Sequence, residues 1–130
     1  MKFQFKYRVA WVDTDALGIM HFSNYFRLCE RTEQELMNSL GLEDDETFLP
    51  RVDAHCTYKS PLKFNDPVTV YMWVKEIGKS HITFSYEIVN DLHGKVAAQC
   101  QIVVVPVDAK MKKSTLKEEI TEKLRKFMDE

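Results

Sequence analysis

The chain has 130 residues, 45% of them hydrophobic, enough to bury one core as a single domain without disulfides or metals to hold it together. A net charge of -2 gives no broad basic field and argues against nucleic acid as a partner. Cys29, Cys56 and Cys100 are odd in number and lack a Cys-x-x-Cys pair, and the longest aliphatic run, Ile102 to Val105, is far too short to insert in a membrane, so a soluble cytoplasmic protein with reduced thiols and no disulfide framework is expected.

From Lys2 to Trp11 polar and apolar residues alternate. Phe3, Phe5, Tyr7, Val9 and Trp11 fall on one face and Lys2, Gln4, Lys6 and Arg8 on the other, the pattern of a strand with one buried face. The junction Asp13 to Tyr25 then holds two carboxylates, a glycine and a histidine. Beyond it the period changes: Tyr25, Leu28, Cys29, Thr32, Leu36 and Leu40 recur at three and four, with Ser23 as a candidate cap and Gly41 as a stop. This predicts a central helix of about four to five turns. Glu43 to Glu46 reads as a solvated acidic loop. Four further strands are predicted over Val52 to Tyr58, Val68 to Glu76, His81 to Val89 and Lys95 to Val105, punctuated by Ser60-Pro61, Asp66-Pro67, Gly78-Lys79 and Asp91 to Gly94. Thr115-Leu116-Lys117-Glu118 has the form of a capping box, and Leu116, Ile120, Leu124 and Phe127 make the stripe of a C-terminal amphipathic helix. The economical architecture is α+β, one five-stranded antiparallel sheet curled round one helix. Its edges need cover, which a second copy joined edge to edge provides.

Among candidate sites, Asp13-x-Asp15-x-x-Gly18 begins like a calcium loop. Position five is then Leu17, position twelve is Asn24 where a bidentate glutamate is needed, and a strand precedes in place of a helix, so no metal is expected. His55 and Cys56 are strand neighbours on opposite faces and form no dyad. Cys29 and Cys100 fall on apolar stripes and read as small buried hydrophobes. No nucleophile elbow, P-loop or dinucleotide loop is present. Asp15 remains. A carboxylate beside the N–H groups of a helix start pairs a base or nucleophile with a place for an oxyanion. The structural alternative is a turn carboxylate accepting backbone N–H bonds, a role that suits Asp13 better.

Asp13-Thr14-Asp15-Ala16-x-Gly18, with Asn24-Tyr25 and Glu30-Arg31 after it, is followed by Tyr58-x-x-Pro61-Leu62-x-x-x-Asp66, Glu76-Ile77-Gly78-Lys79-Ser80 and Val103-Val104-Val105-x-Val107-Asp108. These segments resemble the hotdog-fold acyl-CoA thioesterases of the 4-hydroxybenzoyl-CoA type, and within them the branch found beside the bacterial Tol-Pal system. The resemblance covers nearly the whole chain. It implies the hotdog fold, a five-stranded antiparallel sheet wrapped around a central helix, assembled as a homodimer or homotetramer. It implies hydrolysis of an acyl-CoA thioester, with CoA part of the substrate and no further cofactor. An acyl-carrier-protein thioesterase and a non-catalytic acyl-CoA binding module are the alternatives on the same fold.

By the same resemblance Asp15 is the catalytic carboxylate, as general base or as nucleophile, and the backbone N–H of Phe22 is the candidate oxyanion donor. Members of the branch often carry histidine at the position of Phe22 and tyrosine at that of Trp11. Here the histidine is His21, one position earlier, which leaves His21 between a site role and a loop histidine. Asn24 and Tyr25 either orient Asp15 and line the acyl pocket or serve as a helix cap and a core aromatic. For the CoA phosphates, Lys79-Ser80 is the matching position, and Lys110 and Lys112, with Lys113, form a second basic cluster. Phe22, Trp73, Phe84 and Tyr86 are candidates to floor or block an acyl tunnel.

Overall fold

The computed structural model describes residues 1–42 and 48–128, so the acidic loop expected at Glu43 to Glu46 lies outside the described residues. Alternation carries β1 over Phe3–Arg8, but it ends before Trp11. The Asp13 carboxylate accepts the Tyr7 hydroxyl at 2.5 Å and the Ala10 N–H at 2.8 Å. These bonds turn the chain out of the strand into a single 3-10 turn, Trp11–Asp13. Trp11, expected on the buried face, is therefore 75% exposed and packs on the Phe64 ring at 4.9 Å.

Helix α1, Asn24–Ser39, buries Tyr25, Leu28, Cys29, Thr32 and Leu36 as the spacing predicts. It also buries Glu33, which no pattern in the sequence announced. Leu40 caps its C-terminal end and Gly41 follows at a φ of 72°, a left-handed conformation that glycine reaches without a Cβ clash. Strands β2 (Arg51–Tyr58), β3 (Pro67–Ile77), β4 (Ile82–Asn90) and β5 (Lys95–Val104) fall within a few residues of the predicted runs. The sheet has the order β1-β3-β4-β5-β2, every neighbouring pair antiparallel. Across its three central strands run the rows Val70–Ile88–Ala98, Met72–Tyr86–Cys100 and Val74–Phe84–Ile102, all buried in one core with the α1 stripe. This is the expected α+β hotdog architecture.

Helix α2, Glu118–Arg125, buries Ile120, Thr121 and Leu124, and the Lys123 ammonium donates to the Leu40 carbonyl at 3.0 Å. The expected capping box does not form: Lys117 is the N-cap, with no side-chain cap bond, and Thr115 stands outside the helix. Glu118 and Glu119 in the first turn complement the helix dipole instead. Among the described residues no helix is long and apolar enough to cross a membrane.

The cysteines require a correction. Cys56 and Cys100 face each other in the β2–β5 ladder with Cα atoms 4.1 Å apart and are joined by a disulfide, at a sequence separation of 44. Spacing along the chain carries no record of strand register, which is what brings them together. Cys29 is a buried free thiol, as its place on the apolar stripe implies, and burial raises its pKa.

Candidate active site

After the 3-10 turn a bridge between Thr14 and Met20 closes a tight loop with Gly18 at a φ of 79°. Within it the Asp15 N–H donates to the Ile19 carbonyl at 2.9 Å, and the Asp15 carbonyl accepts the Gly18 N–H at 3.0 Å. Its Oδ1 accepts the Leu17 N–H at 2.8 Å, an Asx turn. One carboxylate oxygen thus does the structural work of a turn aspartate, while Oδ2 is bonded to no described residue. Asp15 is half-buried and lines a cleft of about 520 Å³ whose other walls include Ile19, Met20, Phe22, Tyr25 and Tyr58.

The start of α1 forms the neighbouring wall. Ser23 stands at the N-cap, yet its side chain makes no cap bond. Its hydroxyl pairs with His21 Nδ1 at 2.8 Å, and the same ring nitrogen accepts the Ser23 N–H at 3.2 Å. His21 therefore takes up an N–H at the helix start, and its ring stacks on Phe22 at 4.5 Å. It does not line the cleft. The Asn24 amide donates to the Asp13 carbonyl at 2.8 Å, tying helix to loop, and lines a separate pocket of about 230 Å³ beside Tyr7 and Asp13. The Phe22 N–H meets no acceptor among the described residues. A residue with an unpaired N–H just before a helix start, sharing a cleft with a carboxylate that keeps one oxygen unbonded, is the kind of arrangement that can stabilise negative charge on a carbonyl oxygen during attack.

Tyr25 is buried, with its ring edge-on to Tyr58 at 4.9 Å. Burial, with a smaller effect from Tyr58, pushes the Tyr25 hydroxyl up to about 12, so it stays protonated at neutral pH. The Tyr58 hydroxyl donates to the Phe22 carbonyl at 2.9 Å. Lys59 and Ser60 complete this side, their N–H groups held by the Ala97 carbonyl at 2.8 and 3.2 Å. Sequence reasoning did not single out Tyr58, Lys59 and Ser60 as site residues. The signal was present in Tyr58-x-x-Pro61, quoted above only for its resemblance.

The expected phosphate-binding residues are not brought to Asp15. Lys79 and Ser80 lie in the β3–β4 turn, beyond the Ile77 end of β3, whereas the loop of Asp15 follows β1 at the opposite, Pro67 end. Lys110 and Lys112 stand in a turn built on Asp108, whose carboxylate accepts their N–H groups at 2.8 and 3.0 Å. Of the aromatic residues considered for an acyl tunnel, Phe22 lines the cleft, whereas Phe84 and Tyr86 lie in the core. Trp73 carries the Lys2 ammonium over its ring at 4.1 Å. Among the described residues no group of three or more His, Cys, Asp or Glu is placed to hold a metal ion.

A family model described as the thioesterase-like superfamily matches residues 9–124. A protein of Aquifex aeolicus (strain VF5) with the provisional name esterase is 36% identical over 91 residues, covering 66% of this chain and 71% of that protein. The crystal structure of a hypothetical protein from Aquifex aeolicus superimposes with a TM-score of 0.87 at 30% identity, over 94% of this chain and 98% of that one. The crystal structure of a 1,4-dihydroxy-2-naphthoyl-CoA thioesterase from Synechocystis has the same fold, with a TM-score of 0.88 at 20% identity over 96% of each chain. A five-stranded sheet wrapped on one helix and a family match over most of its length together assign the chain: it belongs to the thioesterase-like superfamily and is a thioester hydrolase of the hotdog fold.

Proposed function

We propose that the protein hydrolyses an acyl-CoA thioester to a free carboxylic acid and CoA, with Asp15 as general base or nucleophile and the Phe22 N–H as oxyanion donor. The observation that carries this reading is Asp15, with Oδ2 unbonded among the described residues, in an apolar-walled cleft that it shares with Phe22. As base, Asp15 takes a proton from the water whose oxygen attacks the thioester carbon. As nucleophile, its oxygen forms a mixed anhydride that water then opens. On either route the carbonyl oxygen gains negative charge facing the helix start, and the CoA sulfur leaves. A cleft of about 520 Å³ is in the size range of small-molecule sites and suits a compact acyl group. The likeness to a thioesterase named for a CoA thioester supports CoA as the carrier, and the segments quoted above support the Tol-Pal-associated branch. Lys79, Ser80, Lys110 and Lys112 serve the CoA phosphates from a second copy of the chain in a homodimer. The cytoplasmic location expected from composition belongs to the same reading.

Thiol release from a panel of short, long and aromatic acyl-CoAs tests it. Asp15→Asn is expected to lower turnover at least about 10²-fold, the scale of acid–base contributions. A variant as fast as the parent defeats the assignment of Asp15, and no release from any acyl thioester defeats the reading as a whole. Faster hydrolysis of carrier-bound acyl groups in competition points to a carrier-protein thioesterase, and saturable binding without hydrolysis to a binding module.

A further inference from the structure

One wall of the Asp15 cleft is the end of β2, an edge strand exposed at almost every residue. Apart from its ladder with β5, it is held at its start by Arg51 on Glu33 at 2.6 Å and at its end by Tyr58, whose ring meets Tyr25 edge-on at 4.9 Å and whose hydroxyl donates to the Phe22 carbonyl at 2.9 Å. Between these lies the Cys56–Cys100 disulfide. Cys56 and Tyr58, two residues apart on one strand, share a face, opposite Cys100 and Ala98 of β5. The disulfide thus pins the strand one side-chain row from the tyrosine. Tyr58 in turn grips the residue whose own N–H is the oxyanion donor, so this bond restrains the Phe22 backbone from which the donor projects.

We propose that Tyr58 is a positioning residue for the Phe22 N–H and that the Cys56–Cys100 disulfide keeps it in place, so that turnover depends on the oxidation state of this cysteine pair. The kinetic consequence rests on the thioester-hydrolysis reading. The exchange is a two-electron reduction. A dithiol reductant delivers two electrons and two protons to the S–S bond, which becomes the Cys56 and Cys100 thiols, while the reductant closes into its own disulfide. The core rows under α1 do not depend on this link. What loosens is the end of β2, so that the Tyr58 hydroxyl leaves the Phe22 carbonyl and the N–H loses its fixed position. A shift of about 1 Å at a reacting centre costs up to about 10² in rate. Cys29 stands outside the exchange, because its buried thiol supplies little thiolate. In a thiol-reducing compartment such a bond is reversible, not permanent.

Titration of the denatured, unreduced protein is expected to find one free thiol, that of Cys29, and all three cysteines after dithiothreitol. Dithiothreitol should lower the parent's kcat by about 10-fold with KM within about two-fold. Tyr58→Phe should show the same loss without reductant and no further loss with it, while melting within about 2 °C of the parent, since ring and disulfide are retained. Cys29→Ala should respond to reductant as the parent does. Amide hydrogen exchange over residues 21–25 reads the coupling without any substrate: reductant speeds it in the parent and adds nothing in Tyr58→Phe. Three free thiols before reduction, unchanged kcat in Tyr58→Phe, or equal effects of reductant on parent and Tyr58→Phe each overturn the proposal. Absence of turnover in every form overturns only the hydrolase reading, and the exchange and thiol measurements still decide the positioning role.

Discussion

Asp13 and Asp15 are separated by one threonine, and their hydrogen bonds give them different work. Asp13 Oδ2 accepts two bonds, from the Tyr7 hydroxyl at 2.5 Å and the Ala10 N–H at 2.8 Å, and ties the strand end to the turn, while Asp15 Oδ1 accepts one, from the Leu17 N–H inside its own loop. The Tyr7 hydroxyl is pushed up to about 12, first by burial and then by the Asp13 carboxylate that accepts its hydrogen bond. In the unfolded chain the same phenol titrates near 10.0. The folded value is the higher one, so this group's contribution to stability is complete below the unfolded value and is lost as pH rises through the folded one. From about pH 10 to about pH 12 the parent's melting temperature should therefore fall more steeply than that of Tyr7→Phe. Parallel curves in thermal melts over that range would show that the Tyr7–Asp13 bond does not anchor the junction. The structural role of Asp13 was legible in the sequence, since a carboxylate at a strand end finds backbone donors by geometry alone. The place of His21 was not, because whether its ring reaches Asp15 or Ser23 depends on a few degrees of loop backbone.

At the scale of elements, the periodic faces were the readable part. Burial against one core imposes a period of two on strands and 3.6 on helices, so Tyr25 to Leu36 and the β3–β5 rows could be picked out before any fold was known. Caps and register were not readable. The Ser23 hydroxyl finds His21 and not a helix N–H, and Thr115 never reaches α2, because a cap depends on which of several nearby acceptors lies closest. Cys56 meets Cys100 only because β2 returns to pair with β5 across two intervening strands. Helix α2 adds a short apolar stripe to the core, in which Leu124 is fully buried. Leu124→Ala should cost about 2–5 kcal/mol, the range for a buried leucine truncated in a well-packed site. Denaturant unfolding checks this. A loss under about 1 kcal/mol, typical of surface substitutions, would mean that α2 is not part of the cooperative core.

At the scale of the whole molecule, the sheet ends in an edge that one chain does not finish. Strand β2 exposes Val52 at 62% and Tyr58 at 45%, with Phe48 just before it at 52%. An apolar edge with unpaired backbone groups is a template for a further strand. Two copies of β2 pairing antiparallel about a two-fold axis would satisfy both edges at once, the same patch serving each chain. In such a dimer one chain's β3–β4 turn, with Lys79, would lie at the same end of the joined sheet as the other chain's cleft, which would shorten the reach from a CoA phosphate to its thioester. Val52→Glu puts like charges near that axis on a residue exposed in the single chain. Sedimentation should therefore show a dimer for the parent and a monomer for the variant, with circular dichroism unchanged. The variant's KM for an acyl-CoA should rise at least about 10-fold, because charge-assisted bonds to phosphate, about 1.5–3 kcal/mol each, depart with the partner. A monomeric variant that keeps the parent's KM would assign CoA binding to the single chain, through Lys59 at the cleft, and leave Lys79, Lys110 and Lys112 as surface charge.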